Sequence, residues 1–341
     1  MKINNDKRYL ITGGTGSFGK EFIKYLIAIR KVSPEQITIL SRDEQKQYQM
    51  QQNSLYQDCK YEIHDVRDAD GMLEIIKGHN IVVNTAAIKH VSKAQDYVME
   101  AIKTNILGPY NLMTAIQGLT YPITFVHLST DKSVEPINYY GATKMLSEGL
   151  VRNFSQRQSP HKFFSARYGN IVLSEGGLVK KVATLFRNNS PVFLTHQNMT
   201  RFLMSFDDAI DVVMAACSGT HEQSGKIFVP LNLPSCFIRE LLEILKEELD
   251  SKSEIIVGGI SEGEKIDEAL LNREEAFEDN LDIVTKTRSG YPIACVRIKD
   301  KNRGSKSNVY SSGLAKHVLT KENLKQYLLD KGIVDYCRSI N

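Results

Sequence analysis

With 341 residues, 42% of them apolar and 24% charged, and a net charge of only +3, the chain has the make-up of a soluble globular protein with one large core and room for a smaller lobe. So slight a positive excess excludes nucleic acid as an expected partner, and no apolar run approaches the roughly 18 to 20 residues that span a bilayer, which excludes a membrane partner. Five scattered cysteines (59, 217, 236, 295 and 337) make no CxxC pair and adjoin no histidine cluster, and the polar stretch Met1 to Leu10 lacks a signal-peptide core, so the expectation is reduced thiols, no metal and a cytoplasmic setting.

The first half alternates short β-rich runs with segments of helical period. Strands are expected at Tyr9–Thr12, Ile37–Leu40, Tyr61–His64, Ile81–Asn84, Ile123–Leu128 and Phe163–Arg167, with helices at Phe18–Ala28, Asp43–Gln52 and Tyr97–Ile116. Such alternation predicts an α/β fold: a doubly wound, Rossmann-type parallel sheet with helices on both faces. At the first strand–helix junction, Gly14, Gly16 and Gly19 satisfy GxGxxG, and Gly13, Gly16 and Gly19 satisfy GxxGxxG. Residues without Cβ let backbone N–H groups approach a pyrophosphate, and the following helix turns its positive end to the anion. Thr15, Ser17 and Phe18 fill the rest of that turn. The second strand ends at Ser41 rather than at an acid, and Arg42 and Lys46 follow. That pattern suits the 2′-phosphate of NADP better than the ribose hydroxyl of NAD, with NAD as the alternative. Asp65 and Val66 close the third strand, where an aspartate can accept from an adenine amino group.

The fifth strand runs into Ser129-Thr-Asp-Lys and then Tyr139-Tyr-Gly-Ala-Thr-Lys144. Tyr140 and Lys144 share a face if a helix begins here. A lysine ammonium and a nicotinamide cation beside a phenol stabilise its phenolate, which can take a proton from a sugar hydroxyl while hydride leaves the same carbon. Thr130 can hydrogen-bond the same oxygen. Asp131 and Lys132 add an acid and a base, which simple alcohol oxidation does not need. Once C4 is a ketone, Lys132 can remove the C5 proton while Asp131 protonates the departing 6-hydroxyl. Beyond Gly169 the alternation weakens. Helices are expected at Asp207–Cys217, Ile238–Leu249 and Lys321–Gly332, and the stretch from about Glu262 to Gly304 reads as charge-rich and irregular. The division expected is residues 1–170 as a cofactor-binding domain carrying the catalytic residues, and 171–341 as mainly a substrate lobe with some elements returning to the first.

The stretches GGTGSFG, SRDE, TAAIKHV, STDK, NYYGATK, RYGN, MTRF and GEK together resemble the inverting UDP-N-acetylglucosamine 4,6-dehydratase and capsule polysaccharide-synthesis family of extended short-chain dehydrogenases/reductases, as far as about residue 270. The resemblance implies that NADP stays bound through the cycle and that Asp131, Lys132, Tyr140 and Lys144 carry the chemistry, beside the Thr130 read above from its place after the strand. It implies that Ala86, Ala87 and Lys89 meet the cofactor. It also implies that Lys89 and His90 line the sugar pocket, with Asn170, Arg201 and Lys265 near the nucleotide of a UDP-linked substrate. The expected assembly is a homo-oligomer. Two places depart from the family pattern: Ser174-Glu-Gly-Gly177 stands where Ser-Arg-Gly-Ser is usual, and Ser261-Glu262 where an arginine is usual. Both changes remove cations that would pair with a diphosphate, leaving Lys180, Lys181 or Lys226 to compensate. They bear on the identity of the sugar nucleotide more than on the reaction class. The rival readings are a nucleotide-sugar epimerase, which returns hydride to C4, and a non-catalytic NADP-binding regulator, against which the presence of both Tyr140 and Lys144 argues.

Overall fold

The structure, a computed structural model, describes residues 6–297, 309–314 and 316–340. Strands β1 (Tyr9–Thr12), β2 (Ile37–Ser41), β3 (Lys60–Ile63), β4 (Ile81–Asn84), β5 (Thr124–Leu128) and β6 (Lys162–Ala166) alternate with helices α1 (Ser17–Ala28), α2 (Glu44–Gln51), α3 (Met72–Ile76), α4 (Val91–Asp96), α5 (Val98–Ile102), α6 (Gly108–Gln117) and α7 (Tyr139–Ser155). After these come α8 (Leu178–Arg187), β7 (Val192–Leu194), β8 (Thr200–Phe202), α9 (Phe206–Cys217), β9 (Ile227–Pro230), β10 (Ser235–Phe237), α10 (Ile238–Glu248) and β11 (Ile255–Val257). The described chain ends with β12 (Ala269–Leu271), β13 (Leu281–Lys286), β14 (Pro292–Val296), β15 (Tyr310–Ser311), α11 (Lys321–Asp330) and α12 (Ile333–Ser339).

The main sheet has nine strands in the order β13-β14-β9-β6-β5-β4-β1-β2-β3. From β9 to β3 every neighbour is parallel, as the alternating pattern predicts. Side chains on successive residues of β1 face opposite layers. Tyr9 and Ile11 pack into one apolar cluster with α1 and α9, and Leu10 packs into another with Met72, Leu112 and Phe154. Burial on both faces explains the unbroken apolar runs of these strands. A further cluster joins α8, α10, α11 and α12 around Val182, Phe186, Leu241 and Leu245. The later chain does not stay apart, since α9 lies on the large sheet and β9, β13 and β14 extend it.

Two segments differ from the sequence expectation. The stretch expected as one helix over Tyr97–Ile116 is broken by a π-helical turn at Lys103–Leu107. That turn aims the buried Asn105 at the loop after β4, where it bonds both the N–H and the C=O of Ile88, at 2.8 and 3.0 Å. The region expected to be irregular contains β13 and β14, which pair antiparallel with each other and, through β14, with β9; residues 298–304 of it lie outside the described residues. Strand β13 is an exposed edge, so it lacks the apolar alternation that would have marked it. No helix among the described residues is long and apolar enough to cross a membrane, and all five cysteines are buried and unpaired.

Candidate active site

Strand order reverses around β1, with β2 on one side and β4 on the other. Open parallel sheets form their crevice at the carboxyl ends of strands at such a point. A cavity of about 410 Å³ lies there, reached by Gly13, Gly16, Ser17, Phe18 and Gly19 from the first turn and by Thr130, Lys132, Tyr140 and Lys144 from β5 and α7. The loop after β4 adds Ala87, Lys89 and His90, and the later chain adds Asn170, Glu175 and Arg201.

The turn after β1 has the shape of an anion cradle. Gly13 has φ +64°, and a Cβ there would stand 2.7 Å from the Ala86 nitrogen, so backbone packs on backbone and no side chain fits. Helix α1 starts at Gly16 with no side-chain cap, which leaves its first N–H groups facing the cavity for a phosphate. The residues present therefore fit a dinucleotide. Its adenosine end would meet a surface already rich in ion pairs. Ser41 is buried, with its hydroxyl 2.9 Å from that of Thr15. Arg42 reaches Asp65 at 3.4 Å, and Lys46 reaches Asp43 at 3.0 Å. The Asp65 carboxylate also accepts from Arg67 at 2.6 and 2.9 Å, so it is engaged by arginines rather than open. Val66 is buried against Gly108. Arg42 lines a neighbouring cavity of about 430 Å³ together with Ala87, Lys89 and His90.

Helix α7 begins on the Asn138 cap, whose side chain accepts from Gly141 N–H at 2.7 Å. Its first turn presses against the Asp131–Ser133 turn, and a Cβ at Gly141 would overlap the Lys132 carbonyl oxygen. That close approach brings Tyr140 beside Thr130 and Lys132. Burial pushes the Tyr140 phenol up to about 12, opposed by the Lys132 cation and a hydrogen bond with Thr130. Lys144 is the cation expected to act on the phenol. Its Nζ instead donates to the Leu128 carbonyl at 2.8 Å, and burial lowers it to about 7 against the pull of Glu148.

Lys132 stands in a tight polar cluster. Its Nζ lies 3.1 Å from each of Asp131 Oδ1, Asn170 Oδ1 and Glu268 Oε1. Burial would drive its proton off, but the two carboxylates outweigh that and hold it above the ordinary lysine range. Asp131 is fully covered: Oδ1 accepts from Thr130 and Lys132 at 2.9 and 3.1 Å, while Oδ2 has no partner. The Arg201 guanidinium donates to the carbonyls of Thr200, Ile266 and Lys265 and lies 4.0 Å from Glu268.

Not every expected residue reaches the cavity. Lys265 is turned away and donates to the Val134 carbonyl at 2.6 Å; burial lowers its proton affinity. Lys89 donates to the Glu175 carbonyl at 3.2 Å, and the His90 ring lies against Gly176. Glu175 pairs with Lys180 at 2.6 Å, so the lysine best placed to replace a missing arginine is already engaged. Lys226, at the start of β9, feels Arg297 and Asp282 instead. Sequence reasoning missed Glu268 and Asn105. Glu268 stands three residues beyond Lys265 and directly before the apolar Ala269-Leu-Leu run; an acid at the lip of a buried strand was the available signal.

The polysaccharide biosynthesis protein family matches residues 9–285. Over 277 residues the chain is 37% identical to the inverting UDP-N-acetylglucosamine 4,6-dehydratase of Campylobacter jejuni, covering 80% of this chain and 79% of that one. It is 36% identical over 274 residues to the UDP-glucose 4-epimerase of Rickettsia conorii, covering 79% of each. Among solved structures, that of Pen from Bacillus thuringiensis superposes with a TM-score of 0.85 at 25% identity, covering 96% of this chain and 98% of the other.

Proposed function

The chain belongs to the polysaccharide biosynthesis protein family, and on that premise we propose that it is a nucleotide-sugar 4,6-dehydratase acting on a UDP-N-acetylglucosamine-type substrate. The observation that carries this reading is Lys132, paired with Asp131 and Glu268 at 3.1 Å and lining the cavity that also holds Tyr140. An enzyme that only oxidises and re-reduces C4 has no use for a buried acid–base pair next to the phenol. An enzyme that expels water needs one. The first 170 residues hold the cofactor in this reading, and the α8–α10–α11–α12 cluster shapes the sugar-nucleotide side.

An oxidised nicotinamide, when bound, would supply positive charge beside Tyr140 and an acceptor for the hydride lost from sugar C4 and regained at C6. Gly13, Gly16 and the open start of α1 would hold its pyrophosphate, and Arg42 the 2′-phosphate of NADP. Tyr140 as phenolate takes the proton of the 4-hydroxyl, with Thr130 bonded to the same oxygen. The resulting ketone acidifies C5–H, Lys132 removes that proton, and Asp131 protonates the C6 oxygen so that it leaves as water. Two requirements follow from the geometry. Asp131 is wholly covered, so the surroundings of its carboxyl group must open when the sugar binds. Lys132 is held as an ammonium, so its proton must go elsewhere before it can act as a base.

The test is to incubate the purified protein and NADP with UDP-N-acetylglucosamine in deuterated water and to follow the product by mass spectrometry. Loss of one water with deuterium gained at C5 is the expected result. A product of unchanged composition would replace this reading with the epimerase one, which the 36% identity to the Rickettsia conorii epimerase favours.

A further inference from the structure

Glu268 has no step of its own in the reading above, yet its position is unusual. It is about 2% exposed, its Oε1 sits 3.1 Å from Lys132 Nζ, and its Oε2 is buried with no partner. Asp131 Oδ2 is buried and unpartnered as well. Two buried carboxylates therefore converge on one ammonium, and both touch it through a single oxygen. The remaining charged or titratable groups facing Lys132 are Arg201, whose Nε is 4.0 Å from Glu268, Tyr140, and Lys265, whose Nζ is bound to the Val134 carbonyl.

Resting on the dehydratase reading, we propose that Glu268 is a positioning residue that holds the Lys132 amine in place and keeps it strongly basic while the Lys132 proton is on Asp131. The protons balance. The Lys132 ammonium passes its proton to Asp131 across their 3.1 Å contact, with the Glu268 carboxyl group 3.1 Å from the same nitrogen. The free amine takes the C5 proton and becomes an ammonium again, while Asp131 gives its proton to the C6 oxygen and the C–O bond breaks to release water, which restores the start. Asp131 and Lys132 exchange the one proton, and Glu268 acts on the substrate only through Lys132.

Glu268→Gln tests this while keeping an oxygen within reach of Lys132 Nζ. In single-turnover mixing with UDP-N-acetylglucosamine, the absorbance rise of cofactor reduction should persist, while water loss falls by roughly 100-fold or more. Glu268→Asp, which restores a carboxylate, should recover part of the elimination, and it serves alone if the glutamine variant does not fold. The second readout needs no substrate: the Lys132 ammonium is titrated by NMR of lysine labelled at Cε, its signal assigned by its loss in Lys132→Arg. Its titration should move down by about one pH unit or more in Glu268→Gln. Unchanged elimination in Glu268→Gln, equal loss of both half-reactions, or an unmoved Lys132 titration would each overturn the proposal. If the wild-type protein releases no water, the dehydratase reading fails by itself, and the NMR titration still decides whether Glu268 governs the Lys132 proton.

Discussion

Arg167 offers the sharpest test of how the site is held. It follows β6, and its guanidinium is nearly inaccessible, about 3% exposed. It makes five bonds: to Glu148 Oε1 and Oε2 at 2.9 and 2.7 Å, to Glu275 Oε2 and Oε1 at 2.7 and 3.0 Å, and to the Leu270 carbonyl at 2.9 Å. One planar fork thus ties α7, which carries Tyr140 and Lys144, to the segment that carries Glu268. In Arg167→Met the two glutamates stay buried, about 7% exposed on each side chain, and lose the guanidinium that both of them pair with. Breaking a buried pair in this way costs about 3–5 kcal/mol, because the stranded charge dominates the loss. At about 2 °C per kcal/mol for a chain of this size, melting falls by roughly 6–10 °C. Arg167→Lys keeps the charge but offers one point donor in place of a fork, so it should fall between wild type and methionine. The assay is urea unfolding followed by circular dichroism, run alongside Arg167→Met combined with Glu148→Gln and Glu275→Gln. The triple variant should recover much of the loss, since it strands no charge. A cost under about 1 kcal/mol for Arg167→Met, or no recovery in the triple variant, would mean that the glutamates are not buried anions and would refute the reasoning.

Gly13→Ala places a Cβ 2.7 Å from the Ala86 nitrogen at φ +64°, so NADP binding, read by quenching of protein fluorescence, should weaken by roughly 10-fold or more while the fold survives. Arg42→Ala removes an exposed guanidinium paired at 3.4 Å with Asp65; it should leave stability within about 1 kcal/mol and raise the NADP dissociation constant by roughly 10- to 100-fold, with that for NAD unchanged. Equal loss of both cofactors would deny Arg42 a role at the 2′-phosphate. Lys144 is lowered to about 7 by burial, with Glu148 pulling the other way. The unfolded chain therefore binds a proton there that the folded one does not, over the range between that value and the ordinary lysine value, and wild-type stability gains as pH rises through that range. Lys144→Met removes the cost of charging a buried amine, so it should help stability most at about pH 6 and least at about pH 10, as judged by urea unfolding at both. A pH-independent difference would show that the amine is not held neutral.

The parts of the site legible in the sequence are the parts made locally. The glycine turn, the strand before it and the Tyr140–Lys144 spacing each sit within a few residues, and backbone geometry alone translates them into an open helix start and a shared helix face. The π turn at Lys103–Leu107 was not legible, because an apolar period of three to four residues survives one extra residue and the pattern over Tyr97–Ile116 stays that of one helix. Strand β13 was hidden by its exposure. Glu268 was hidden for a deeper reason. Its partner Lys132 lies in the other half of the chain, and the two meet only because β12 packs on the turn after β5. The apolar Ala269-Leu-Leu run after Glu268 hints at its burial, about 2% exposed, but nothing in the residues around it names the partner. The acid–base pair read from adjacent positions 131 and 132 was thus incomplete on physical grounds. Burying Asp131 and Lys132 side by side yields a stable ion pair with its proton on the lysine, which is neither acid nor base. Chemistry from such a pair needs that proton moved onto Asp131 and the freed amine kept strongly basic, and only the tertiary fold reveals the second carboxylate that stands close enough to Lys132 to do so.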